Sequence, residues 1–191
     1  MTLILSCILG LLVFLWANQL YGVHSGIFAL ILYVFSSNII AHGTLVTTDL
    51  AMTLFYFLSM CIFWRWLARP EMKTIVVLGI VTALAMTTKF SAIILLLIYP
   101  LLMLIPSVRT KPGLLTGQPA SRLVKQTVLF VCVIAITILI VYKFRYINLY
   151  FAGLTKTFGE LGTTGQQAYC LGKHSTTGWV YYFLVTFVLK T

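Results

Sequence analysis

Acidic side chains are nearly missing from this chain: Asp49, Glu71 and Glu160 are the only carboxylates among 191 residues. Charged residues of both signs make up just 8% of the chain. Soluble domains carry about 25%, so a soluble domain is excluded. The three histidines and few carboxylates do not recur at ligand spacing, and no metal-binding pattern is present. Cys7, Cys61, Cys132 and Cys170 are widely scattered, the first three in apolar runs, which favours small packing residues over disulfides or metal ligands. The 13 Lys and Arg give a net charge of +10, yet no basic face with interleaved aromatics is present for nucleic acid. Tyr and Trp cluster at the ends of apolar runs instead. The first apolar run lacks the positively charged lead and small-residue cleavage site of a signal peptide, so it reads as a retained helix.

What the chain does have is apolar length. It is 61% hydrophobic with a mean hydropathy of +1.04, and a bilayer span needs roughly 20 mainly apolar residues. The runs predict an all-α, polytopic transmembrane bundle with spans at Leu3–Leu20, Ser25–Ala41, Leu50–Leu67, Thr74–Thr87, Ser91–Ile105 and Gln126–Tyr142. Residues 1–147 form the transmembrane region, with a Pro-, Gly- and Lys/Arg-rich cytoplasmic linker over 106–125. Residues 148–177 form an extracytoplasmic segment, and 178–191 begin a further span.

Orientation follows from the basic residues. Arg65, Arg69 and Lys73 follow the third span; Arg109, Lys111, Arg122 and Lys125 follow the fifth. Two spans separate the groups, so both fall on one side, cytoplasmic by the positive-inside rule. The loop HGTLVTTD, Lys89 and the segment after Tyr142 then share the opposite side.

Asp49, the only aspartate, stands at the mouth of the third span. A carboxylate near a bilayer is costly and faces a cavity or partner. It also suits a helix N-terminus, as a cap after Thr47 and Thr48, and the two roles are compatible. His42, seven positions earlier, reads as an interfacial histidine bonded to backbone, or as a ligand or base. Lys89, in MTTKFSA, either snorkels to the headgroups or meets a lipid phosphate.

The run FSSNIIAHGTLVTTDLAMTLFYFLSMCIFWRW resembles the third and fourth transmembrane helices of the polyprenyl-phosphate-dependent glycosyltransferases of family 39. That family includes protein mannosyltransferases and aminoarabinose transferases. ALAMTTKFSAIILLLIYPLL resembles its helix pair with a Lys-Phe/Tyr-Ser turn, and GQQAYCLGKHSTTGWVYYFLVTFVLKT an extracytoplasmic segment leading into a later helix. The resemblance implies a GT-C fold and transfer of a sugar, with inversion, from a polyprenyl-phosphate donor to a protein or lipid acceptor on the extracytoplasmic face of a bacterial plasma membrane. It implies Asp49 as the catalytic carboxylate, Lys89 as a phosphate contact, and His42, Tyr169, His174 and Trp179 as substrate-binding residues. No cofactor, metal ligand or nucleic-acid partner is assigned, and the divalent-metal requirement and oligomeric state stay open. The family carries a further acidic residue after its first helix, with no counterpart here, so the chain reads as a fragment truncated at both ends and inactive by itself. The rival readings are a small transporter, which internal repeats would favour, and a non-catalytic membrane scaffold.

The topology is directly testable. Single cysteines placed at Thr47 and Gln118 are predicted to react with impermeant reagent from opposite sides of the membrane. Labelling of both from one side would overturn the assignment.

Overall fold

A lipid layer offers no water to the backbone, so an apolar chain must satisfy its peptide groups internally, and helices do this within one segment. The computed structural model describes residues 2–44, 48–105, 120–163, 168–170, 172–175, 179, 181–182, 184–185 and 187. Its helices are α1 (Thr2–Tyr21), α2 (Val23–Val34), α3 (Ser37–Thr44), α4 (Asp49–Ala68), α5 (Met72–Thr88), α6 (Leu95–Leu104), α7 (Ala120–Val141) and α8 (Ile147–Thr163). A 3-10 turn over Phe90–Ile94 leads into α6, and Ala168–Cys170 (β1) pairs antiparallel with Lys173–Ser175 (β2). Three helices are long and apolar enough to cross a membrane, Thr2–Tyr21, Asp49–Ala68 and Ser121–Val141; Val23–Val34, Met72–Thr88 and Phe90–Leu104 are shorter and apolar. The helical membrane bundle expected from the sequence is therefore present.

Hydrogen bonds between helices fix their directions. Thr2 donates to the Gly43 carbonyl at 3.1 Å, and Arg65 Nη2 donates to Gln19 Oε1 at 2.9 Å. The start of α1 thus lies by the end of α3, its end lies by the end of α4, and α1 and α4 run the same way. Between them α2 returns along α1, and the Tyr33 hydroxyl donates to the Ser6 carbonyl at 2.8 Å. α5 runs back along α4 after the short turn at residues 69–71. Gln126 Nε2 donates to the Pro70 carbonyl at 3.2 Å, which sets the start of α7 at that turn. One end of the bundle therefore gathers Arg65, Arg69, Lys73, Arg122 and Lys125; the other gathers Asp49, Lys89 and the start of α8. The same two groups of residues follow from counting spans between the basic loops; Arg109 and Lys111 lie outside the described residues, as does most of 178–191.

The core sits around α5. Ile75, Leu78, Ala83, Ala85 and Met86 are buried against α4, α6 and α7, including Phe63, Trp66, Tyr99, Ile134 and Ile138. Thr82, wholly buried, shares a 2.9 Å hydrogen bond with the Tyr99 hydroxyl, and Ser59 donates to the Tyr56 carbonyl at 2.7 Å. Buried hydroxyls in such a core need partners. Gly79 lets α7 approach closely: a Cβ there would lie 2.8 Å from Val133 Cγ1 and 3.3 Å from the Phe130 carbonyl. Small residues at such crossings are how helices associate in lipid, where no hydrophobic drive pulls them together. A second cluster, Leu9, Leu50 and Leu54, joins α1 to the start of α4.

Two expectations need correction. The span Ser25–Ala41 is two helices, because the chain breaks at Phe35 and Ser36, where Ser36 donates to the Tyr33 carbonyl rather than continuing an α-helical ladder. The span Ser91–Ile105 begins as a 3-10 turn and carries Pro100 inside α6. The segment 148–177 holds most of α8 and the β1–β2 hairpin. Lys143 and Phe144, both at positive φ (50° and 57°), end α7 and turn the chain toward α8. Left-handed backbone at the end of a helix caps its carbonyls, and Phe144 N–H reaches the Leu139 carbonyl at 2.8 Å. Of the cysteines, Cys61 is buried in α4 while Cys7 and Cys132 face outward, all three free.

The Gly79 contact gives a stability test. Gly79→Val should destabilise the bundle by about 1–3 kcal/mol, the usual range for overpacking. Combining it with Val133→Ala should recover part of the loss. Denaturant unfolding in detergent would measure both, and a neutral Gly79→Val would show that α5 and α7 are not held at this distance.

Candidate active site

Two helix ends meet where α4 begins and α5 stops. Asp49 is the first residue of α4, following Thr48, which makes no side-chain capping bond. The first turn of a helix carries partial positive charge and favours a carboxylate. Lys89 is the residue that closes α5, in extended backbone (φ −153°, ψ 127°), with its N–H bonded to the Ala85 carbonyl at 3.0 Å. A helix C-terminus favours a cation. Because α4 and α5 are antiparallel, the two complementary ends are neighbours.

Lys89 Nζ donates to Asp49 Oδ1 at 2.6 Å. The two side chains picked from the sequence for opposite chemical duties are thus in direct contact. Both remain accessible, at 48% and 40% exposure. Thr87 and Thr88 turn their hydroxyls back onto the Leu84 carbonyl (3.0 and 2.7 Å), and Thr53 does the same to the Asp49 carbonyl at 2.8 Å.

The turn after Lys89 is held from below by α8, through residues the sequence reading passed over. Phe90 packs against Tyr150 with the rings tilted at 58° and 5.4 Å between centroids, and Tyr150 meets Tyr142 edge-on at 5.4 Å. A Cβ at Gly153 would lie 2.6 Å from Phe90 Cζ, so only glycine lets α8 seat against this ring. Burial, with Tyr142 nearby, pushes the Tyr150 hydroxyl above the usual tyrosine range, so it stays protonated at neutral pH.

An apolar cavity of about 620 Å³ opens between α1, α2 and α3 on the same side of the bundle. It reaches from Phe14 and Gly10, midway along α1, to Leu3, Ile39 and Gly43 near the Asp49 end. Ser6, Cys7 and Tyr33 supply its few polar atoms.

The other expected site residues sit elsewhere. His42 lies in the last turn of α3, ahead of Asp49 in the chain; its side chain is outside the described set. Tyr169 and His174 are register partners across the β1–β2 hairpin, with Tyr169 60% exposed and the His174 side chain outside the described set. Trp179 is half-buried, beyond the hairpin. Ion pair and hairpin are thus carried by separate elements. Among the described residues no three His, Cys, Asp or Glu converge to hold a metal ion.

A family model described as dolichyl-phosphate-mannose-protein mannosyltransferase matches residues 1–142. The matched region holds His42, Asp49 and Lys89; Tyr169, His174 and Trp179 lie beyond it. No curated protein and no solved structure matches the chain.

An exposed ion pair contributes little to stability, about 0.2–1 kcal/mol by double-mutant cycles. A cycle of Asp49→Asn and Lys89→Gln in detergent-solubilised protein should return a coupling in that range. A coupling of several kcal/mol would show the pair to be a structural clamp.

Proposed function

The chain belongs to the dolichyl-phosphate-mannose-protein mannosyltransferase family of membrane glycosyltransferases, and we propose that it moves a sugar from a polyprenyl-phosphate donor onto a protein or lipid hydroxyl at the membrane face bearing Asp49 and Lys89. That face is extracytoplasmic, opposite the end where Arg65, Arg69, Lys73, Arg122 and Lys125 collect. The observation that carries the reading is the direct contact of one carboxylate and one ammonium at a membrane-level helix junction. Transfer from a lipid phosphate requires both: a base for the incoming hydroxyl and positive charge for the departing phosphate.

In the resting state the two charges satisfy each other. Inversion at the anomeric carbon needs the acceptor oxygen and the leaving phosphate on opposite faces of the sugar, so donor binding must part the pair. The donor phosphate takes over Lys89 Nζ, and the freed Asp49 carboxylate accepts the hydrogen bond of the acceptor hydroxyl. As the new glycosidic bond forms, the proton passes to Asp49 and the bond from the anomeric carbon to the phosphate oxygen breaks. Its electron pair stays on the polyprenyl phosphate, whose charge Lys89 holds. The apolar cavity between α1, α2 and α3 supplies a groove for the first isoprene units of the donor. His42 ahead of Asp49 and the Tyr169–His174 hairpin are the candidate contacts for sugar and acceptor.

Asp49→Asn separates the chemical role from a capping role, because Asn caps about as well as Asp. In membranes carrying this region in a full-length context, sugar transfer from radiolabelled polyprenyl-phosphate donor should fall by about 10²–10⁴ for Asp49→Asn, the typical contribution of a general base, while protein level and unfolding midpoint stay near the parent. Lys89→Gln should weaken donor binding more than it affects folding. Near-parental turnover of the Asp49→Asn protein would return Asp49 to a helix-end residue at a membrane surface.

A further inference from the structure

The opposite end of the bundle carries a second polar site, which the transfer reaction does not use. Arg65, in the last turn of α4, is aimed across the α1–α4 cleft by two contacts: it donates to Gln19 Oε1 at 2.9 Å and lies over the Trp16 ring at 5.6 Å. Arg69, one turn on, has no side-chain partner among the described residues. Together with Gln19, Ala68, Glu71 and Thr74 the two arginines line a cavity of about 440 Å³.

Gln19 and Arg65 also line a second, narrower cleft of about 110 Å³ that continues along α1 and α4. Its other walls are apolar, among them Leu12, Leu15, Trp16, Leu58 and Ile62. The two spaces therefore adjoin at Gln19 and Arg65: guanidinium groups on one side, hydrocarbon on the other. Their order along the helices follows the bilayer, since Arg65 sits at the basic end of two helices long enough to span it.

The geometry points to a binding site for one anionic phospholipid, with its phosphodiester held by Arg65 and Arg69 and the first methylenes of an acyl chain laid in the α1–α4 cleft. Arginine presents a planar fork of donors that matches phosphate oxygens. Fixing Arg65 beforehand on Gln19 and Trp16 lowers the entropic cost of making those bonds. Glu71 lines the same cavity; it forms no salt bridge with either arginine and stands where it can accept from a headgroup hydroxyl. Lys73, exposed on the adjoining turn, adds to the positive field. A bound lipid here braces α1 against α4 beside the Arg65 contacts.

Native mass spectrometry of the purified chain, titrated with phosphatidylglycerol, tests the site. One phosphatidylglycerol should bind ahead of phosphatidylcholine, and Arg65→Gln/Arg69→Gln should weaken it by roughly tenfold or more. Arg122→Gln/Lys125→Gln removes equal charge from the same end of the bundle and should leave the affinity within about twofold of the parent. Equal loss in both double variants would reduce the effect to general surface charge and overturn the site. Should the first double variant fold poorly, Leu58→Trp decides: it fills the apolar cleft and keeps both arginines, so unchanged binding would refute the acyl-chain placement. Displacement of the lipid by inorganic phosphate at equal concentration would make this a free-anion site and sink the proposal.

Discussion

How closely neighbouring helices can approach α5 governs the rest of this bundle. In lipid, helices gain nothing from escaping water, so they associate through tight packing and a few internal hydrogen bonds. α5 is suited to this by Gly79, Ala83 and Ala85, and by Thr82, whose hydroxyl finds Tyr99 on α6. With α4 on one flank and α7 on another, its C-terminus is carried to the start of α4 and its N-terminus to the start of α7. Lys89 and Asp49 meet because that packing brings them level.

The pairing of Asp49 with Lys89 follows from polarity that the helices supply themselves. A carboxylate at the start of α4 and an ammonium at the end of α5 each sit in the field that favours its charge. Their partial exposure keeps the attraction weak, which is what the proposed transfer requires of a pair that a donor phosphate must part. A buried pair would resist separation, since stranding either charge out of water is costly. The resting contact is strong enough to place both groups and weak enough to be exchanged.

Much of this was legible in the sequence, and the limits have physical causes. Apolar run length identified the helical membrane bundle, and counting spans between basic loops set Asp49 and Lys89 on one face. Their direct contact was not readable, because it depends on the register of α4 against α5, which run length does not set. The break in the second span was signalled by Ser36 and Ser37 inside an apolar run, two polar residues that a hydropathy window averages away. α8 also left a trace: Ile147, Tyr150, Phe151 and Leu154 fall at helical spacing, an amphipathic pattern too short and too polar to register as a span. Gly153 has meaning only opposite Phe90, a contact between distant segments that no local pattern announces.

The three-residue turn at 69–71 has a consequence for how the molecule comes together. Asp49 and Lys89 are 40 residues apart in sequence, yet they belong to two consecutive helices, so their meeting requires closure of just one tight hairpin. Contacts of such short range carry a low loop-closure cost. As the chain enters the membrane from its N-terminus, the carboxylate waits for its cation only as long as α5 takes to follow α4. The paired charges can therefore form before α6, α7 and α8 arrive, and the later helices are added around a charged corner already in place.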